Sequence, residues 1–233
     1  MKENKRLLVV AAHPDDEILG CGATVARFVR EGWTAATLIL GEGVTSRGDE
    51  REPEKCSREL EGLRRCRDLA NREIGVSRVF GAELPDNRFD SVDLLDIVKI
   101  VDRAKREFKP SLIFTHHRND LNVDHKRTYD AVLTATRPME GETVRRVLSF
   151  EVLSSTEWNY PSSFAPNVFY EVSGTLGKKV AAMRLYKSEL RAYPHPRSLR
   201  AIRNLAEYHG IRTGLGQAEA FELVRENNSR EAK

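Results

Sequence analysis

Two short runs of histidine and aspartate carry the residue types that do chemistry. His13-Pro14-Asp15-Asp16-Glu17 directly follows the apolar run Leu7–Ala12. A His and an acid about three residues apart converge on one ion when the chain turns into a helix, and imidazole nitrogen with carboxylate oxygen suits zinc. Spacing alone does not say whether Asp15 or Asp16 is the ligand. The second run, His116-His117-Arg118-Asn119-Asp120-Leu121-Asn122-Val123-Asp124-His125, follows the apolar run Leu112–Thr115. Either run alone is a weak signal, because His and Asp also cap helices. Together they are expected to face each other across a crevice between two strand ends. Three protein ligands with a fourth position open to water make the catalytic form of a zinc site. Such an ion lowers the pKa of water to ~7, and a nearby uncoordinated carboxylate accepts the remaining proton. The chemistry expected is metal-assisted hydrolysis.

The elements that must position these residues alternate. Leu7–Ala12, Thr37–Leu40, Val79-Phe80, Leu112–Thr115 and Val147–Val152 read as β-runs. Between them Gly20–Gly32, Glu54–Asn71, Ser91–Phe108 and Asp124–Thr136 carry apolar residues at helical spacing, with Ser91 expected as a cap. Strand and helix repeated in this way predict an α/β, Rossmann-like, mostly parallel sheet with helices on both faces, over about residues 6–152. Ligands of such sheets bind outside the carboxyl ends of the strands. From 153 to 226 a loop over Ser154–Pro166 gives way to helical patterns at Gly174–Leu190, Ser198–Tyr208 and Gly216–Arg225, expected as a C-terminal helical cap. The whole chain, 1–233, reads as one domain, and Asn227–Lys233 is polar and expected to fray.

Bulk properties exclude several classes. The 38 Lys+Arg nearly cancel the 35 Asp+Glu, leaving a net charge of +3 without the concentrated basic stripe of a nucleic-acid binder. No apolar stretch approaches the ~20 residues of a membrane span. The early apolar run is too short for a signal peptide, and the three cysteines form no C-x-x-C pair, so a cytoplasmic protein with reduced thiols is expected.

The stretch A-A-H-P-D-D-E-I-L-G-C-G, with the later Asn122-Val123-Asp124-His125, resembles the two metal motifs of the LmbE/PIG-L family of zinc-dependent N-acetylglucosaminyl deacetylases. The likeness covers about residues 6–150. It implies that His13, Asp16 and His125 hold one zinc, that Asp15 deprotonates water, and that Asp124 orients its neighbours. It departs at Asn122, where the family's H-P-D-H motif has its first His, the group expected to steady the oxyanion and protonate the leaving amine. A neutral Asn donates a hydrogen bond but is no acid at pH 7. Asp15, His116 or His117 then remains to supply the proton, or Asn122 simply caps the following helix.

The same resemblance makes Gly41–Asp49 a substrate loop, with Arg47 on sugar hydroxyls or a phosphate, and Leu84–Phe89 a segment whose Asp86 binds a ring hydroxyl. Tyr193-Pro194-His195-Pro196-Arg197-Ser198 is a stiff loop expected to offer His195 and Arg197 to the pocket. Trp158 and Tyr160 are candidates to stack on a sugar or base, and His209 reads as a structural residue near a helix end. The expected reaction removes an N-acetyl, or longer N-acyl, group from an amino-sugar conjugate, with a nucleotide- or lipid-linked sugar among the candidates. Family likeness also implies a homo-oligomer. The competing readings are a non-catalytic sugar- or nucleotide-binding α/β protein and a metal-dependent hydrolase of another acyl bond.

Overall fold

The computed structural model describes residues 4–48 and 50–227, so Asp49 and the tail expected to fray after Asn227 lie outside the described residues. Among the described residues seven strands form one sheet: β1 (Arg6–Ala11), β2 (Thr34–Gly41), β3 (Arg78–Leu84), β4 (Leu112–His116), β5 (Arg146–Phe150), β6 (Val168–Glu171) and β7 (Ala218–Glu226). Six helices accompany them: α1 (Asp16–Arg30), α2 (Ser57–Glu73), α3 (Leu94–Phe108), α4 (Val123–Ala135), α5 (Leu176–Leu185) and α6 (Leu199–Thr213). The spatial order is β3-β2-β1-β4-β5-β7-β6. The first five strands are parallel, and β7 runs antiparallel to both β5 and β6.

Strand β1 is apolar from Leu7 to Ala11 because both of its faces are covered. Leu7 and Val9 join a core with residues of α1, α2 and α5, whereas Leu8 and Val10 join one with α3 and α4. Each such side chain contributes about 1.5–3 kcal/mol of burial. Helix α1 lies close against β5: a Cβ at Gly20 would sit 2.2 Å from the Phe150 ring. The strand order reverses between β1 and β4, so the loops leaving their carboxyl ends diverge and open a crevice. Both His/Asp runs leave the sheet there.

Three expectations need correction. The stretch Gly216–Arg225 is not a helix; from Ala218 onward it belongs to β7. Its Ala and Glu residues favour helices, but pairing on both edges and burial of Phe221 against Phe114, at 5.1 Å between ring centroids, override that preference. The region after residue 153 is therefore helices plus two sheet strands rather than a helical cap alone. Helix α3 begins at Leu94 with Asp93 at its N-cap, and Ser91 lies in a preceding 3-10 turn. His209 is inside α6, where Nε2 lies 2.7 Å from Glu151 Oε1, and not at a helix end.

Candidate active site

His13 ends the turn after β1, and Asp15 and Asp16 open α1. His125 lies in the first turn of α4, which Asn122 caps by accepting the Asp124 N–H at 2.8 Å. These two helix starts bring three donor atoms together. Asp16 Oδ2 stands 3.3 Å from His13 Nδ1 and 3.2 Å from His125 Nε2, and the three ligand atoms lie within 4.8 Å of one another. Two ligands at about 2.05 Å from a tetrahedral ion are separated by about 3.3 Å. The spacing and the two-nitrogen, one-oxygen set therefore fit a divalent cation.

Carboxylates orient both imidazoles from behind. His13 Nε2 donates to Asp124 Oδ2 at 2.9 Å, while Asp124 Oδ1 accepts the Phe89 N–H at 2.9 Å. His125 Nδ1 lies 3.2 Å from Asp120 Oδ1, and Asp120 is itself gripped by the hydroxyls of Ser155 and Thr156. Metal-ligating histidines commonly have such outer carboxylates, which fix tautomer and ring orientation. A second grouping, His13 with Asp86 and Asp124, is equally compact. There, however, it is His13 Nε2 that faces Asp124 Oδ2 at 2.9 Å and Asp86 Oδ1 at 3.4 Å, whereas Nδ1 of the same ring faces Asp16. That second grouping holds His13 in place.

The charges follow this wiring. Burial works against a proton on His125, but Asp16 and Asp120 outweigh it and lift the imidazole to about 9. Burial is likewise overcome at His13, which Asp124 and Asp16 raise well above the usual value. Asp16 is held well below the ordinary carboxylate range, burial notwithstanding, chiefly by His125.

Asp15 is different. It occupies the α1 N-cap with φ 114, yet its side chain caps nothing. Left-handed backbone at a non-glycine residue costs about 1–3 kcal/mol and persists only where the surroundings enforce it. Here Glu17 Oε2 accepts the Asp15 N–H at 3.0 Å, and Glu17 Oε1 accepts from Tyr186 Oη at 2.7 Å and Asn71 Nδ2 at 2.9 Å. Burial pushes Glu17 up to about 7. Burial also raises the Asp15 carboxyl well above its usual value, with Arg197 opposing and Asp16 and Glu189 reinforcing.

His13, Asp15, Asn122 and His125 line a cavity of about 180 Å³, together with Ser46, Arg47, Asp86 and Arg197. Asp86 is tied to Ser46 by Oδ2, at 2.6 Å from the hydroxyl, and its Oδ1 is 3.4 Å from His13 Nε2. Arg47 Nη2 meets Glu189 Oε1 at 2.6 Å. Asn122 Nδ2 donates one hydrogen to Asn87 Oδ1 at 2.8 Å, leaving the other N–H of that amide uncommitted among the described residues.

His195 does not line the cavity. Its Nδ1 accepts the Arg197 N–H at 3.0 Å and its ring meets Trp158. Trp158 and Tyr160 are exposed outside the cavity lining. His116 and His117 are buried behind the site. His116 Nε2 accepts the Ala12 N–H and its ring stacks on His125 at 3.9 Å, and burial, then His125, depress its pKa. His117 is engaged with Ser163 and Glu222. Neither reaches the cavity to protonate a leaving group. Sequence reasoning passed over Glu17, Asp120 and Glu189. The first two sit inside the quoted motifs as polar residues next to ligands; nothing in the sequence marks Glu189.

Residues 8–136 match the family described as PIG-L: GlcNAc-PI de-N-acetylase, over more than half of the chain. The chain belongs to this family. Among relatives of this PIG-L chain, the uncharacterized deacetylase YaiS of Escherichia coli (strain K12) is 29% identical over 80% of the chain and 92% of its own length. The 1D-myo-inositol 2-acetamido-2-deoxy-alpha-D-glucopyranoside deacetylase of Kribbella flavida is 31% identical, over 58% of the chain and 56% of that relative. The conserved protein TT1542 of Thermus thermophilus superposes with TM-score 0.75 at 26% identity, covering 97% of this chain and 98% of its own. GalB, the 4-carboxy-2-hydroxymuconate hydratase of Pseudomonas putida KT2440, shares the fold with TM-score 0.76 at 18% identity, covering 98% of this chain and 100% of its own. Family membership makes the chain an amidohydrolase of the deacetylase class. The fold by itself does not select the reaction.

Proposed function

We propose that the chain hydrolyses the N-acetyl amide of an amino-sugar conjugate, releasing acetate and a free amine, with zinc held by His13, Asp16 and His125. One observation carries this reading: two imidazoles and one carboxylate converge beside Asp15, a buried aspartate whose side chain is not spent on helix capping. When bound, a zinc ion supplies Lewis acidity for an acyl oxygen and lowers the pKa of water to ~7.

The chain's own groups do the rest. Asp15 takes the proton of the attacking water and returns it to the departing nitrogen, because His116 and His117 do not line the cavity. The uncommitted N–H of Asn122 donates to the oxyanion. Arg47 and Asp86, at the mouth and on the floor of the cavity, receive ring hydroxyls. Few apolar residues, such as Val44 and Leu63, join the lining of the 180 Å³ cavity, which favours acetyl over a longer acyl chain.

The test is acetate release from a panel of N-acetylated sugar glycosides, sugar nucleotides and lipid-linked sugars, with and without chelator, beside the N-hexanoyl analogues. Chelator-sensitive acetate release with slower hexanoate release is expected. Activity indifferent to chelation, or turnover confined to non-amide substrates, contradicts the proposal.

A further inference from the structure

Arg197 lies in the loop before α6, 182 positions from Asp15 in sequence, yet its Nη1 is 3.4 Å from Asp15 Oδ2. That oxygen is fully buried and has no hydrogen-bond partner among the described residues, while Asp15 also lines the cavity. Arg197 is held at three further points, two on its guanidinium and one on its backbone. Its Nε donates to Ser154 Oγ at 2.7 Å, Nη1 also meets Glu189 Oε2 at 3.3 Å, and the backbone N–H of the same residue is fixed by His195 Nδ1. The other Glu189 oxygen holds Arg47, so one buried glutamate ties the arginine beside Asp15 to the arginine at the mouth.

We infer that Arg197 is a positioning residue for Asp15 rather than a ligand of the substrate: held by Glu189 and Ser154, it fixes the Oδ2 edge of the carboxylate and leaves Oδ1 to the reacting atoms. The inference rests on the role proposed for Asp15. A planar fork suits the task, because it bridges two carboxylates and a hydroxyl at once and has little freedom left once they are engaged. Reaction rates are sensitive to such placement, since about 1 Å of misalignment costs about 10²-fold. His195 acquires a function in this arrangement by orienting the loop that delivers the arginine.

The experiment compares the wild-type chain with Arg197→Met, both loaded with zinc, in steady-state kinetics on the best N-acetylated substrate and in crystal structures. The expected result is a 30-fold or greater fall in kcat with KM changed less than threefold and zinc content intact, together with an Asp15 carboxylate that has turned or shifted. A tenfold rise in KM with kcat preserved would make Arg197 a substrate ligand and overturn the inference. An Asp15 side chain that keeps its place in the variant overturns it too. That structural comparison needs no turnover: if the wild-type chain releases no acetate, the proposed function fails, and the position of Asp15 in the variant still decides the positioning role.

Discussion

Acidity should govern metal uptake, by an amount that the site geometry sets. Before a cation enters, Asp16 and Asp120 hold His125 protonated with a pKa of about 9, and Asp124 and Asp16 raise His13 in the same direction. An imidazole must be neutral to ligate, so each ligand His gives up a proton on binding. At pH 7, about two units below the His125 value, that residue alone weakens binding by roughly 10²-fold. Asp16 is held low and has no proton to lose. The two imidazoles share Asp16, so their protons leave as a coupled pair. The logarithm of the apparent zinc affinity should climb with a slope between one and two from pH 6 to 8. Calorimetric titration in buffers of different ionisation enthalpy should find one to two protons released per zinc. Stability of the metal-free protein runs the other way. A folded-state pKa raised above the unfolded ~6.5 stabilises fully below that value, and the gain is lost as pH rises through about 9. Fewer than half a proton released at pH 7, with affinity flat in pH, would refute the reasoning.

Three further outcomes are expected. Asp15→Asn should retain zinc, measured by elemental analysis, and lose about 10²–10⁴-fold in kcat, the usual worth of a general base. Asn122→Ser should keep the helix cap and the melting temperature yet slow turnover, because a hydroxyl replaces the amide N–H. Asn122→Ala should in addition cost about 1 kcal/mol in denaturant titration. Glu17→Ala strands the Asp15 N–H and the Tyr186 hydroxyl in the interior, while Asn71 Nδ2 keeps the Arg67 carbonyl, and should destabilise by about 2 kcal/mol or more at 1–3 kcal/mol per orphaned group, read in denaturant titration.

What could be read from the chain depended on locality. His13 and Asp16 are separated by one turn of backbone, and His125 sits at the start of a helix that follows a strongly apolar strand. Sequence order and the rules of parallel sheets were enough to bring them to one crevice. One outer carboxylate is nearly as local, since Asp120 lies five residues before the His125 imidazole it faces, whereas Asp124 meets His13 only across the crevice. By contrast, Arg197 and Glu189 reach Asp15 through the packing of the C-terminal region, and no periodicity encodes that approach. The same distance in sequence hid β7. Its Ala-Glu-Ala run has helical preferences, and pairing with β5 and β6 makes it a strand. Asn122 shows the intermediate case, because capping and cavity lining are both open to it: its carbonyl oxygen caps α4 while its amide nitrogen faces Asn87 beside the cavity.

Anomalous diffraction at the zinc edge from crystals of the zinc-loaded chain decides whether His13, Asp16 and His125 share one ion. One peak is predicted about 2.0–2.2 Å from His13 Nδ1, Asp16 Oδ2 and His125 Nε2. No peak there, or a peak instead between His13, Asp86 and Asp124, would rule out that ligand set.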